Sequence, residues 1–408
     1  MKFRINAKEL CEAIEASSGK SKLKQDCSIE AVQGTVIVRA SDGVFYSELS
    51  ITADVEREGK AVVYSPMLVQ LLKSTVSQEV EVELPDNKHR LIVRLNNGAQ
   101  YLLPLGFEQN DDDPLRSRIT ALMSESQPVV TFSSPNLWKD STVVKQFRGE
   151  WEFSYILLLP ILQQPDWTSR KIVAAVAATD QYILGAVLLT EDQAELYTDS
   201  LIFIPPELSS LRVQSFALAD HDEKRYIYAI MENGFVSAPT QNRASESMCK
   251  TINLLLVSPS NAQLKFDRTT FRNFKKAIET YVDRKTSRSV QNRAVARWDI
   301  CPDGSHRLWS TYEGEILFTA DKAEVIGTIP RTCTFWVNLL DRAFKFIPAP
   351  SAIELTFNGD SCVLRLRDEF NYRICVVQSM FSGSDYESFV GGGDNHEDRS
   401  DETEGGIS

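Results

Sequence analysis

Apolar and polar positions alternate from the first residue. In Met1-Lys2-Phe3-Arg4-Ile5-Asn6, Phe3 and Ile5 fall on one side, the period-two pattern of a half-buried strand. The period then changes: Leu10, Ala13 and Ile14 recur at helical spacing and predict a short helix. The same change occurs twice more. One further helix is predicted from about Ser134, with Leu137, Trp138 and Val144. Another follows Asp267, a residue type suited to an N-cap, with Phe271, Phe274, Ala277, Ile278 and Tyr281 as its apolar stripe. Each interval continues in a similar order. Strand-like 60–64 leads to a helix from Ser65, with Pro66 in its first turn; 201–204 leads to Pro205-Pro206-Glu207-Leu208. In the third interval, 325–329 leads to a helix through Phe335, Trp336, Leu339, Leu340 and Phe344. Alternating runs at 79–84 and 91–95, and at 352–357 and 362–366, predict closing strand pairs.

Internal repetition on this scale predicts three diverged copies of one α+β unit, each with two short helices against antiparallel sheets. The boundaries read as 1–113, 114–244 and 245–381, with linkers near 108–114 and 240–250. The segment 382–408 is rich in Gly, Ser and acid and is expected to be a disordered tail.

Composition narrows the function. With 408 residues, 43% hydrophobic and 25% charged, the chain can bury several cores. No apolar run approaches the roughly 20 residues of a membrane helix, and the opening strand pattern leaves no signal peptide, so a cytoplasmic location is expected. Seven scattered cysteines with no CxxC pair read as reduced thiols. The net charge is −12, but the tail holds eight acids against one Arg, so −7 sits there and −5 on the other 381 residues. A basic inner surface remains possible on such a body.

Chemistry-bearing motifs are sparse. The four histidines form no HExxH, and no serine sits in GxSxG. Gly19-Lys20-Ser21 resembles the end of a phosphate-binding loop, but Ile14 stands where the leading Gly belongs. No catalytic residue, metal site or cofactor is expected, and the chain reads as a non-enzyme. Basic residues recur instead after or on the first helix of each copy: Lys20, Lys22 and Lys24; Lys145 and Arg148; then Arg272, Lys275, Lys276, Arg284, Lys285 and Arg288.

The order of units resembles the bacterial DNA polymerase III beta sliding clamp family, of which the chain would be a divergent member. The likeness is carried by the opening Met1-Lys2-Phe3, by Val36-Ile37-Val38-Arg39-Ala40-Ser41-Asp42 and by Ala175-Val176-Ala177-Ala178-Thr179-Asp180. It implies three clamp-type domains per chain and a head-to-tail homodimer forming a closed ring on double-stranded DNA. The basic clusters would meet phosphates without reading sequence. A polymerase and an ATP-driven clamp loader would dock through short peptide motifs in a pocket formed by Thr179, Tyr182, Leu184, Val376, Val377 and Met380. At the dimer junction, Tyr101 and Leu103 on the apolar strand 99–105 would meet the region of Ile278 and Tyr281. Two departures stand out. Gln181-Tyr182-Ile183 replaces the family's Gly-His-Arg, and the chain continues past Met380-Phe381 into the tail. An alternative reading is a clamp-like interaction module that binds replication proteins without encircling DNA.

Overall fold

A computed structural model of the chain describes residues 1–18, 26–41, 44–75, 79–86, 89–106, 114–221, 223–241, 246–284, 295–300, 305–310, 316–320, 324–327, 332–358 and 361–379. One order of elements recurs three times. The first repeat runs β1 (Lys2–Asn6), α1 (Ala7–Ser18), β2 (Asp26–Val32), β3 (Thr35–Ser41), β4 (Tyr46–Thr52), β5 (Asp54–Arg57) and β6 (Gly59–Tyr64). It closes with α2 (Ser65–Lys73), β7 (Glu79–Glu83), β8 (Arg90–Leu95) and β9 (Gln100–Pro104). A connecting helix, α3 (Pro114–Ser124), precedes the second: β10 (Gln127–Phe132), α4 (Pro135–Ser141), β11 (Ile156–Pro160), β12 (Ile172–Thr179), β13 (Ile183–Thr190), β14 (Ala194–Leu196) and β15 (Ile202–Ile204). A 3-10 turn (Pro206–Ser210) then leads to β16 (Ser215–His221), β17 (Lys224–Met231) and β18 (Gly234–Thr240). After a second connecting helix, α5 (Glu246–Val257), come β19 (Ala262–Lys265), α6 (Arg268–Arg284), β20 (Val295–Ile300), β21 (His306–Ser310), β22 (Ile316–Ala320) and β23 (Glu324–Gly327). The third repeat ends with β24 (Thr332–Trp336), α7 (Val337–Phe346), β25 (Ala352–Asn358), β26 (Ser361–Asp368) and β27 (Arg373–Gln378).

Sheet order repeats with the elements. One run of each repeat reads β5-β1-β7-β8-β9, β14-β10-β16-β17-β18 and β23-β19-β25-β26-β27; the other reads β6-β2-β3-β4, β15-β11-β12-β13 and β24-β20-β21-β22. The fold is therefore α+β with three repeated domains of the expected kind. In space the chain forms two compact units, 1–180 with 186–254, and 181–185 with the chain from Leu255.

Each repeat fills the space between helix and sheets differently. In the first, Phe3 and Ile5 of β1 pack with Leu10 and Ile14 of α1, all buried. Asn6 caps that helix, its Oδ1 accepting the N–H groups of Lys8 (2.9 Å) and Glu9 (3.3 Å). In the second, the Trp138 ring meets Phe216 edge-on at 4.8 Å, and its indole N–H donates to the Leu208 carbonyl at 2.8 Å. In the third, Phe274 of α6 sits among Trp298, Phe318 and Phe344. Asp267 caps α6 as expected, accepting from the N–H of Thr269 (2.8 Å) and Thr270 (3.0 Å).

Within the first unit, β18 pairs antiparallel with β4, joining two repeats in one nine-stranded sheet. Gly234 is required at this seam. Its φ is +146°, and a Cβ there would lie 2.0 Å from the Glu48 carbonyl oxygen. The connecting helix α3 lays Ile119 and Leu122 on Tyr46, Tyr228 and Phe235, and the Tyr228 hydroxyl donates to the Ile119 carbonyl at 3.1 Å. Burial pushes that hydroxyl's pKa up to about 12. In the second unit, the last turn of α5 is held by Arg365, whose guanidinium reaches the carbonyls of Leu255 (3.4 Å) and Leu256 (3.3 Å).

Two sequence expectations need correction. Residues 335–336 close strand β24, and the helix begins only at Val337; β-branched and aromatic residues in Thr332–Trp336 favour the strand. The predicted linker 240–250 also contains the start of a helix, α5, from Glu246; of 108–114 only Pro114, which opens α3, is among the described residues.

Candidate peptide-binding and DNA-facing surfaces

The first candidate site lies in the second unit, where β24, β27 and residues 181–185 come together. The N–H of Gln378, at the end of β27, donates to the Tyr182 carbonyl at 2.9 Å. The Tyr182 ring meets Trp336 edge-on at 4.6 Å. Tyr182 remains 46% exposed, Trp336 is half-buried and Gln378 is exposed, so an aromatic pair and an amide face solvent together. Such a surface suits a peptide with aliphatic or aromatic anchors and a few polar contacts.

The sequence-predicted pocket residues divide. Leu184, Val376 and Val377 are buried. Thr179 belongs to the first unit, where it is half-buried and its carbonyl accepts the N–H of Gly149 at 3.1 Å. Met380 lies outside the described residues. Trp336 was missed because a helical reading of 335–344 put it on a core stripe. Gln181, where the resemblance expects Gly, holds a left-handed φ of +84°. A non-glycine residue in that region carries roughly 1–3 kcal/mol of strain.

The described candidate DNA-facing residues sit on α6 in the third repeat and, in the second, on the 3-10 turn Thr142–Phe147 that follows α4 (Lys145) and directly beyond it (Arg148). On α6, Arg272 and Lys276 are exposed, and half-buried Lys275 lies 3.6 Å from Glu279 one turn on. In the second repeat, Lys145 is exposed. Arg148 is fixed by backbone, its Nε donating to the Lys145 carbonyl (3.1 Å) and its Nη1 to that of Ser154 (3.2 Å). Helix α1 differs: beside Lys8 it exposes Glu9, Glu12 and Glu15, the last paired with Lys73 at 2.6 Å. Lys20, Lys22, Lys24, Lys285 and Arg288 lie outside the described residues, as does the side chain of Arg284.

Of the expected junction residues, Tyr101 is exposed on β9 and Leu103 is buried beside it, with Leu102 exposed between them. Ile278 and Tyr281 are fully buried in the core of the third repeat and offer no surface to another chain. They belong to the inward stripe of α6, and the end strand of that repeat's second sheet is β22.

No protein-family model and no curated protein matches the chain. Solved structures do. The chain is similar to DNA polymerase III subunit beta from Borrelia burgdorferi in complex with a natural product, at 13% identity, covering 93% of this chain and 99% of that one, with a TM-score of 0.64. The beta subunit of DNA polymerase III from Thermotoga maritima is also 13% identical, with the same coverage of both chains and a TM-score of 0.67. The Helicobacter pylori beta clamp bound to a DNA ligase peptide is 14% identical, covering 93% of this chain and 100% of that one at a TM-score of 0.57. The chain has the fold of the beta sliding clamps.

Proposed function

We propose that the chain is a DNA sliding clamp. In this reading two copies join head to tail into a ring, and duplex DNA runs through it without its sequence being read. The Tyr182–Trp336 surface holds short peptides of a polymerase and of an ATP-driven loader. The domains are taken as 1–113, 114–244 and 245–381, with 382–408 as an acidic tail. Retention comes from topology, so weak phosphate contacts suffice and no catalytic residue is assigned. Among the described residues no helix is long and apolar enough to cross a membrane, which suits a cytoplasmic protein.

The observation that carries the reading is a rule of edges. The last strand of the second repeat, β18, pairs with β4 of the first. The last strand of the third, β27, bonds to Tyr182 at the head of β13. Applied once more, the rule matches β9 to β22, each of which ends its own sheet, paired to β8 or β21 on one side and to no strand on the other among the described residues. An edge exposing Tyr101 and Leu102 invites pairing. Two copies placed head to tail satisfy both edges at once and close. The partner of β9 in this assembly is β22, in place of the Ile278 and Tyr281 region.

Light scattering is expected to give about twice the 45.9 kDa chain mass at micromolar concentration, and Leu102→Glu to shift it toward monomer without unfolding. Loaded protein should stay on circular DNA and run off linear DNA. A monomer throughout, or equal loss from both DNAs, rejects the ring. Reversing charge at Arg272 and Lys276 should flatten the salt dependence of DNA binding by about two units of log–log slope.

A second reading is favoured by one observation, the glutamates exposed on α1. A helix of that charge repels phosphate, as fits a clamp-shaped module that binds proteins without DNA. A dimer that binds peptides yet shows no preference for circular DNA selects it.

A further inference from the structure

Cys333 on β24 and Cys362 on β26 belong to different sheets of the third repeat, yet their Sγ atoms lie 3.1 Å apart. They are 1% and 5% exposed. No backbone ladder joins the two strands: β24 pairs with β20, and β26 with β25 and β27. The thiol contact is thus a point where the two sheets meet directly. Cys362 is bracketed by Ser379, whose hydroxyl accepts the Cys362 N–H at 2.9 Å and whose own N–H donates to the Cys362 carbonyl at 2.8 Å.

We propose that this pair is an oxidation site at which a hydroperoxide forms a disulfide that staples the two sheets together. Cys362, the more exposed of the two, reacts first. Its sulfur attacks the peroxide, the O–O bond breaks, a sulfenic acid forms and an alcohol (water, from hydrogen peroxide) leaves. The Cys333 sulfur then attacks the sulfenic sulfur; the S–S bond forms, the S–O bond breaks and a second water leaves. Two thiols lose two electrons and two protons, and the peroxide gains them. The sulfurs need to approach by only about 1 Å to reach a disulfide length near 2.05 Å.

Placement gives the staple its consequence. Strand β24 ends at Trp336, and Cys362 is hydrogen-bonded to Ser379, the neighbour of Gln378. The cross-link therefore ties β24 to the strand beside β27, and β24 and β27 are two of the three segments that form the candidate peptide surface. The Cys333 hydrogen bond, and then burial, hold the Cys362 thiol above its ordinary range. Oxidation is therefore slow at neutral pH and accelerates as pH rises. Nothing in the proposal depends on a ring or on DNA.

The test uses the full chain. After a hydrogen peroxide pulse, remaining thiols are alkylated and the protein is digested without reductant. Mass spectrometry is expected to find the Cys333 and Cys362 peptides joined with loss of two hydrogens, separated by dithiothreitol, in a yield that grows with pH. The loop closed spans 29 residues. A staple of that size should raise the unfolding temperature by roughly 10 °C in the oxidised protein, a rise absent in Cys333→Ala and Cys362→Ala. Recovery of both cysteines as alkylated thiols or as sulfinic acids, or linkage of either to another cysteine, overturns the proposal. Because the mass measurement uses the unaltered chain, misfolding of a variant cannot obscure the result.

Discussion

The same ion pair occurs at matching places in the first and third repeats, with opposite surroundings. On β7 and β8, Glu81 faces Arg94 across the ladder, Oε1 to Nη1 at 2.7 Å, with side chains 17% and 36% exposed. On β25 and β26, Glu354 faces Arg365 in the same manner, Oε2 to Nε at 2.5 Å, but the side chains are 6% and 7% exposed. The difference follows from α5, whose last carbonyls accept from Arg365. Arg367 also reaches Glu354, at 3.1 Å, so one buried carboxylate serves two guanidinium groups. The first repeat has no counterpart of α3 or α5 among its described elements. A shared register therefore fixes which residues meet, while burial decides what the meeting is worth.

The comparison can be broken most forcefully at Glu354. Glu354→Ala leaves Arg365 buried without its carboxylate and Arg367 with Glu369 in place of two acids, and denaturant unfolding should register a loss of about 3–5 kcal/mol. Arg94→Ala on the first repeat should lose only about 0.2–1 kcal/mol, measured the same way. Comparable losses at the two sites would mean that burial does not separate them. A smaller and sharper effect concerns pH. Burial acts to raise the Glu81 carboxyl, but hydrogen bonds from Arg94 and Arg4, with the charge of Lys2, leave it below its ordinary value. Its stabilising contribution is thus complete above the ordinary carboxylate pKa and is lost as pH falls through the lowered value. Glu81→Gln should lose that contribution at pH 7 and converge on the parent protein in acid, flattening the acid limb of the stability curve.

A second contrast concerns the helices that open these repeats. Both bury an apolar stripe, Leu10 and Ile14 on α1, Phe274, Ile278 and Tyr281 on α6, yet α1 exposes glutamates where α6 exposes Arg272 and Lys276. Apolar spacing was legible in the sequence because the fold depends on it, and the strand-to-helix changes near 7, 134 and 267 led directly to the repeats. Asp267 was legible as a cap for the same local reason. Surface charge carries no such periodicity, so its inequality emerges only once exposure is known.

What stayed hidden depended on contacts distant in sequence. Ile278 and Tyr281 were read both as part of an apolar stripe and as junction residues; burial keeps only the first role. Trp336 closes a strand because β24 pairs with β20, 295–300, some forty residues earlier. Its meeting with Tyr182 spans more than 150 positions. The buried placement of Glu354 likewise required α5, which a linker reading of 240–250 did not supply.

The seam at Gly234 has a consequence in terms of mass action. Because β18 and β4 belong to one chain, they face each other at an effective concentration set by the covalent connection, and dilution cannot lower it. A junction between β9 and β22 of separate copies has no such tether, and its occupancy falls as the protein is diluted. In the proposed ring, dilution or a loader's pull therefore acts first on the two interchain junctions, while the Gly234 seam behaves as part of a permanent frame.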